Sequence, residues 1–128
     1  MASSYAQFHK VSNVQNLTVT VTTSTDGLSE AADLKGNTLV GVYMPSTWTS
    51  ASVTFVGSHD DTTYYSVYAA DGTETAISGA STSAGRYFPL DPADFAGLNF
   101  LKVRSGGSTG ETAQGASRSV VLALRSIA

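Results

Sequence analysis

Short runs that alternate apolar and polar residues recur along this chain at spacings of about ten residues, with turn-forming residues between them. Asn16–Thr23 is the clearest: Leu17, Val19 and Val21 fall on one side, and Thr18, Thr20 and Thr22 on the other. That period of two belongs to a strand with one buried face. Thr38–Met44, Ala51–Val56, Thr63–Ala69, Thr73–Ile77, Arg86–Leu90, Leu98–Arg104 and Arg118–Arg125 read as further strands. Thr25-Asp26-Gly27, Lys35-Gly36-Asn37 and Asp71-Gly72 supply turns, Asp71-Gly72 as a hairpin signal. Within Thr38–Met44, Gly41 marks a bulge or a close approach of another group, and Pro45 stops the strand. Ser29–Leu34 is open between a helical turn and a loop. Asp91-Pro92 predicts a capped single turn running to Phe95. About eight short strands without helical alternation predict an all-β fold, an antiparallel two-sheet sandwich of jelly-roll or Greek-key type. Residues 16–128 make one β-sandwich domain, and residues 1–15 form an N-terminal arm with Tyr5, Phe8 and Val11 as anchors.

Composition agrees with strands and narrows the function classes. Charged residues make up 13% of the 128 positions, against about 25% in ordinary soluble domains. With 18 serines and 16 threonines, the surface is solvated by hydroxyls where most domains use Lys and Glu. The absence of cysteine excludes disulfides, Cys-ligated zinc and thiol chemistry. A net charge of −3 argues against a nucleic-acid partner, which needs clustered cations. No apolar run approaches the ~18 residues of a membrane span, and Met1-Ala2-Ser3-Ser4 lacks the basic and apolar regions of a signal peptide. Neither a membrane partner nor a secretion leader is expected.

Charge is also split along the chain. Residues 1–85 carry Lys10 and Lys35 against seven acids; residues 86–128 carry Arg86, Lys102, Arg104, Arg118 and Arg125 against three. Strand pairing could gather some of these cations on one docking surface. Equally, they could be solvated edge residues that discourage sheet-to-sheet pairing.

No constellation points to catalysis. His9 and His59 fall in the arm and in a turn, and no G-x-S-x-G elbow is present. His59-Asp60-Asp61 puts three ligating groups side by side, which suits a polar hairpin tip better than a metal site drawn from spaced positions. Asp60, Asp61, Asp91 and Asp94 have no EF-hand spacing. The expectation is a non-enzyme without cofactor or metal. A carbohydrate-binding module is the binding alternative, with Trp48 and Tyr65 as stacking platforms. A lone Trp in a small sandwich can instead plug its core.

Two stretches carry a family resemblance: LVGVYMPSTWTSASVTFVGSHDDTTYYSVY, from Leu39 to Tyr68, and GRYFPLDPADFAGLNFLKVRSG, from Gly85 to Gly106. They resemble small proteins encoded among the head genes of tailed bacteriophages. The shared pattern is an apolar strand, Met-Pro, a Trp, a second strand, and later Leu-Asp-Pro…Phe-Ala-Gly…Leu-Lys-Val-Arg-Ser. The resemblance covers Leu39–Arg125 and implies a capsid cement, or decoration, protein: a β-sandwich, of jelly-roll type in some phages, that reinforces the shell from outside. It carries over no catalytic motif. The implied partners are the major capsid protein and further copies of the chain, as homodimer or homotrimer. The implied location is the virion exterior, after synthesis in the bacterial cytoplasm. Candidate capsid contacts are Tyr5, Phe8, Val11, Arg86, Lys102 and Arg104. A phage tail component is the other alternative.

Overall fold

The computed structural model describes residues 14–22, 27–79 and 85–126. Among them, nine strands form two antiparallel sheets. One sheet has the order β1 (Val14–Val21), β9 (Arg118–Ser126), β3 (Asn37–Tyr43), β6 (Tyr87–Pro89). The other has the order β2 (Ala32–Asp33), β7 (Phe100–Gly107), β4 (Val53–Ser58), β5 (Tyr65–Ser66), and β8 (Gly110–Glu111) pairs with the end of β7. The expected all-β, two-sheet sandwich is the fold this chain adopts.

Alternation decides which side chains meet between the sheets. Val19, Val21, Leu39, Val42, Val120, Leu122 and Leu124 come from one sheet, and Val53, Phe55, Leu101 and Val103 from the other. Each such burial is worth about 1.5–3 kcal/mol relative to exposure. Strand β3 needs a correction in phase to contribute three residues. Leu39 faces Leu124 but Gly41 already faces Ala123, so Val40 is an extra residue. The bulge turns Leu39, Val42 and Met44 inward and Gly41 and Tyr43 outward. Gly41 is also the site of a close approach, because the Tyr87 side chain occupies the space a Cβ would need.

Two capped segments complete the core. Asp91 accepts a hydrogen bond from the Ala93 amide at 3.0 Å and caps the 3-10 turn Pro92–Asp94, as its sequence predicts. Thr38 Oγ1 donates to the Pro92 carbonyl at 2.9 Å, so β3 holds that turn in place. Phe95, fully buried just after it, meets Phe55 edge-on with ring centroids 5.2 Å apart. Trp48, in the loop between β3 and β4, is 2% exposed and donates its indole N–H to the Ala51 carbonyl.

Several boundaries differ from the sequence expectation. β1 begins at Val14, so Val14 and Gln15 belong to the sheet and not to an arm; the arm anchors Tyr5, Phe8 and Val11 lie outside the described residues. Ser29–Leu34 is neither helical nor loose. The Ser29 amide donates to Val103 O and the Leu34 amide to Asn99 O, both at 2.9 Å, with β2 between them. β7 runs on to Gly107 where a loop was expected from Ser105. Asp71-Gly72 does turn a hairpin: Gly72 has φ 88°, and the Ala69 amide reaches Thr73 O at 2.8 Å.

Candidate functional site

The outer side of the five-stranded sheet carries two of the three basic candidates, Lys102 and Arg104, and the structure separates them. Arg104 is 7% exposed. Its guanidinium donates to Thr54 Oγ1 at 2.9 Å, Ser66 Oγ at 3.2 Å and Glu74 Oε2 at 2.6 Å. Glu74 in turn accepts from the Ser108 amide and hydroxyl. Arg104 therefore ties the Val67–Thr75 hairpin and the β7–β8 turn to the sheet, and it offers no cation to a partner. Alternation put it on the correct, outward side of β7; the hairpin folding over that side buries it. Lys102, two residues away on the same side, stacks its ammonium 4.5 Å above the Tyr64 ring, a cation–π contact that leaves it half-buried. Arg86 is exposed beside β6 on the other sheet. The three basic candidates do not form one patch.

The acidic tip after β4 is closed on itself. Asp60 Oδ1 accepts from Ser58 Oγ, the Thr62 amide and the Thr63 amide at 2.9–3.0 Å. The Thr63 and Thr62 amides and the Ser58 hydroxyl pull its carboxyl down to about 2. Tyr64 donates its hydroxyl to Asp61, and burial together with that carboxylate raises the phenol above its ordinary value. Asp61 sits at φ 61°, a left-handed conformation that Asp tolerates better than most side chains. His59 approaches Asp60 only at 3.9 Å and is largely exposed. Among the described residues, no three His, Asp or Glu side chains converge in a way that would hold a metal ion.

Beside this tip lies an open cleft of about 310 Å³, with Tyr65, Tyr68, His59, Asp94 and Leu98 on its walls. Tyr65 is 62% exposed, and a ring in that position can stack on an apolar ligand face. Trp48 does not join it. As a buried plug it is unavailable as a platform, so the sugar-site pair proposed from sequence is reduced to Tyr65, with Tyr68 as a neighbour that alternation alone did not single out.

The outer side of the four-stranded sheet has a different character. Register places Thr18, Val121, Tyr43 and Tyr87 in one row across all four strands. The adjacent row is Asn16, Ala123, Gly41 and Pro89. Neither row holds a charge. The Tyr43 and Tyr87 rings sit 4.7 Å apart and both remain nearly half exposed. Sequence reasoning missed this pair because the bulge at Val40 reverses which side of β3 faces out.

No protein-family model matches the chain, and neither a curated protein nor a solved structure matches it.

Proposed function

We propose that this chain is a structural virion protein that binds the outside of a phage capsid shell and stabilises it, with the major capsid protein as its partner. The observation that carries the reading is the pair of uncharged rows on the outer face of the four-stranded sheet, with Tyr43 and Tyr87 exposed at one side of them and Arg125 in the next row. Tyrosines are favoured interface anchors because they combine apolar area with a hydroxyl, and flanking threonines add hydrogen bonds without like-charge repulsion between crowded copies. The phage-head resemblance of Leu39–Tyr68 and Gly85–Gly106 supports the same reading. Of the three basic candidates, exposed Arg86 and half-buried Lys102 remain for an acidic shell surface, and Tyr5, Phe8 and Val11 are further candidate anchors. Mass spectrometry of purified particles should find the chain in copy numbers comparable to the major capsid protein. A handful of copies, or none, overturns the reading in favour of a tail component or a protein outside the virion. Tyr43→Ala with Tyr87→Ala should weaken binding to empty shells while leaving the circular dichroism spectrum unchanged.

The exposed Tyr65 and the cleft beside it favour a second reading, a carbohydrate-binding module. A glycan array decides between them: binding that disappears in Tyr65→Ala would replace the structural reading with the sugar-binding one.

A further inference from the structure

Sheet edges are where a β protein can add strands, and three of the four edges here are blunted. β6 is three residues long and ends in Pro89. β2 is two residues long, with Asp33 paired to Lys35 at 3.6 Å beside it. β5 is flanked by the returning segment of the Asp71-Gly72 hairpin, whose Thr75 amide bonds Val67 O at 3.0 Å. Short strands, proline, charges and covering segments are the usual protections against edge pairing. Among the described residues, β1 has none of them over its first half. It is eight residues of VQNLTVTV, without charge or proline, paired along its length to β9 on one side and bridged on the other only at Val21, to Ser29.

The open part of this edge has a defined end. The Thr20 amide points away from β9, because it donates to Glu30 Oε1 at 2.8 Å. Alternation then directs the amides and carbonyls of Asn16 and Thr18 to the same outer side. Among the described residues, no hydrogen bond to the Asn16 or Thr18 backbone comes from that side. Between them stands Leu17, which shares the inward phase of Val19 and Val21 yet is 37% exposed.

We propose that β1 pairs antiparallel with β1 of a second copy about a two-fold axis at Leu17, joining two four-stranded sheets into one. The spacing of the open groups selects this occupant. With Leu17 opposite Leu17, Asn16 of each copy faces Thr18 of the other, and the two reciprocal pairs form four backbone hydrogen bonds. The same register brings the two exposed leucines together as a non-hydrogen-bonded pair, the closer of the two pair types. It meets no like charge, since the strand carries none. Glu30 stops the ladder at Thr20 in both copies, so the contact is short and concentration-dependent. It deepens the shell-binding reading, where docking would raise the local concentration of neighbouring copies, but the pairing itself is a property of the chain in solution.

The chain has no cysteine, which allows a direct test on the full-length protein without any shell. Cα atoms of such a leucine pair would lie about 4.5 Å apart, inside disulfide range. Leu17→Cys exposed to oxidised glutathione should give a covalent dimer, whereas Thr20→Cys should not. Sedimentation velocity of the unmodified chain should show a dimer that grows with concentration. Leu17→Lys should weaken it at least about tenfold, because two ammonium groups then face each other. Thr18→Pro, which removes an outward amide and no bond to β9, should do the same. A monomer at every concentration, or a dimer unaffected by Leu17→Lys in a protein that melts as the unmodified chain does, overturns the proposal. Shell binding measured separately on these variants tests the functional reading independently.

Discussion

Tyr87 lies over Gly41, its hydroxyl in the volume that any larger residue at position 41 would fill. The two residues are bound to each other by the bulge, since only the extra residue Val40 brings Gly41 to the outer side of β3 opposite β6. Gly41→Ala should therefore cost about 1 kcal/mol, the low end of overpacking, because the tip of an exposed Tyr can swing away. In a Tyr87→Ala background the same substitution should be close to neutral. Urea denaturation of the four proteins in this cycle checks the coupling.

Glu74 and Arg104 should show the opposite behaviour. Removing the carboxylate with Glu74→Ala leaves a buried guanidinium short of its charge partner, and a loss of about 3 kcal/mol is expected. Replacing both residues by methionine should be less harmful than Glu74→Ala alone, because neither charge then has to be desolvated. Thermal melts of the single and double variants decide this. Hydrogen exchange in Val67–Thr75 should rise only in the single variant.

Asp60 makes the loop after β4 sensitive to acid. Its carboxyl is held at about 2 by three donors, below the ordinary value near 3.9. The stabilisation is complete above the ordinary value and disappears as pH falls through about 2. Asp71 is shifted in the same direction by the Thr73 amide. NMR titration of the Asp60 carboxyl should place its midpoint near 2. In Asp60→Asn, the pH dependence of Thr62 and Thr63 amide shifts over that acid range should vanish.

Trp48, the single tryptophan, is a fluorescence reporter of the core and not of a ligand surface. Its emission should be blue-shifted and poorly quenched by iodide in the folded state, and unchanged by added sugars. Trp48→Ala should destabilise the fold by about 3–5 kcal/mol.

The long strands were legible because they carry their own pattern: the alternation of Val120, Leu122 and Leu124 marks β9 without any partner. Ser29–Leu34 was not, since SEAADL has no β-branched residue and is extended only because β7 supplies its hydrogen bonds. The capped turn at Asp91 was legible because a cap is local chemistry. The site candidates depended on long-range packing and fared unevenly. Arg104 was on the expected side of its strand, but the hairpin that covers it is 30 residues away in sequence. Tyr65 kept its exposure and Trp48 did not, a difference that strand periodicity cannot register for a residue in a loop.

The pairing of β1 with β9 runs Val14 against Arg125 and Val21 against Arg118. The start of the first strand and the end of the last thus leave the sheet side by side. A pull applied to both chain ends would load this ladder like a zipper, breaking one pair at a time from Val14–Arg125 onward, and would meet little resistance. Force delivered through the sheet faces, by partners gripping Tyr43 on one side and Lys102 on the other, would instead load many contacts together. A molecule built this way is mechanically strong as a rivet and weak as a rope.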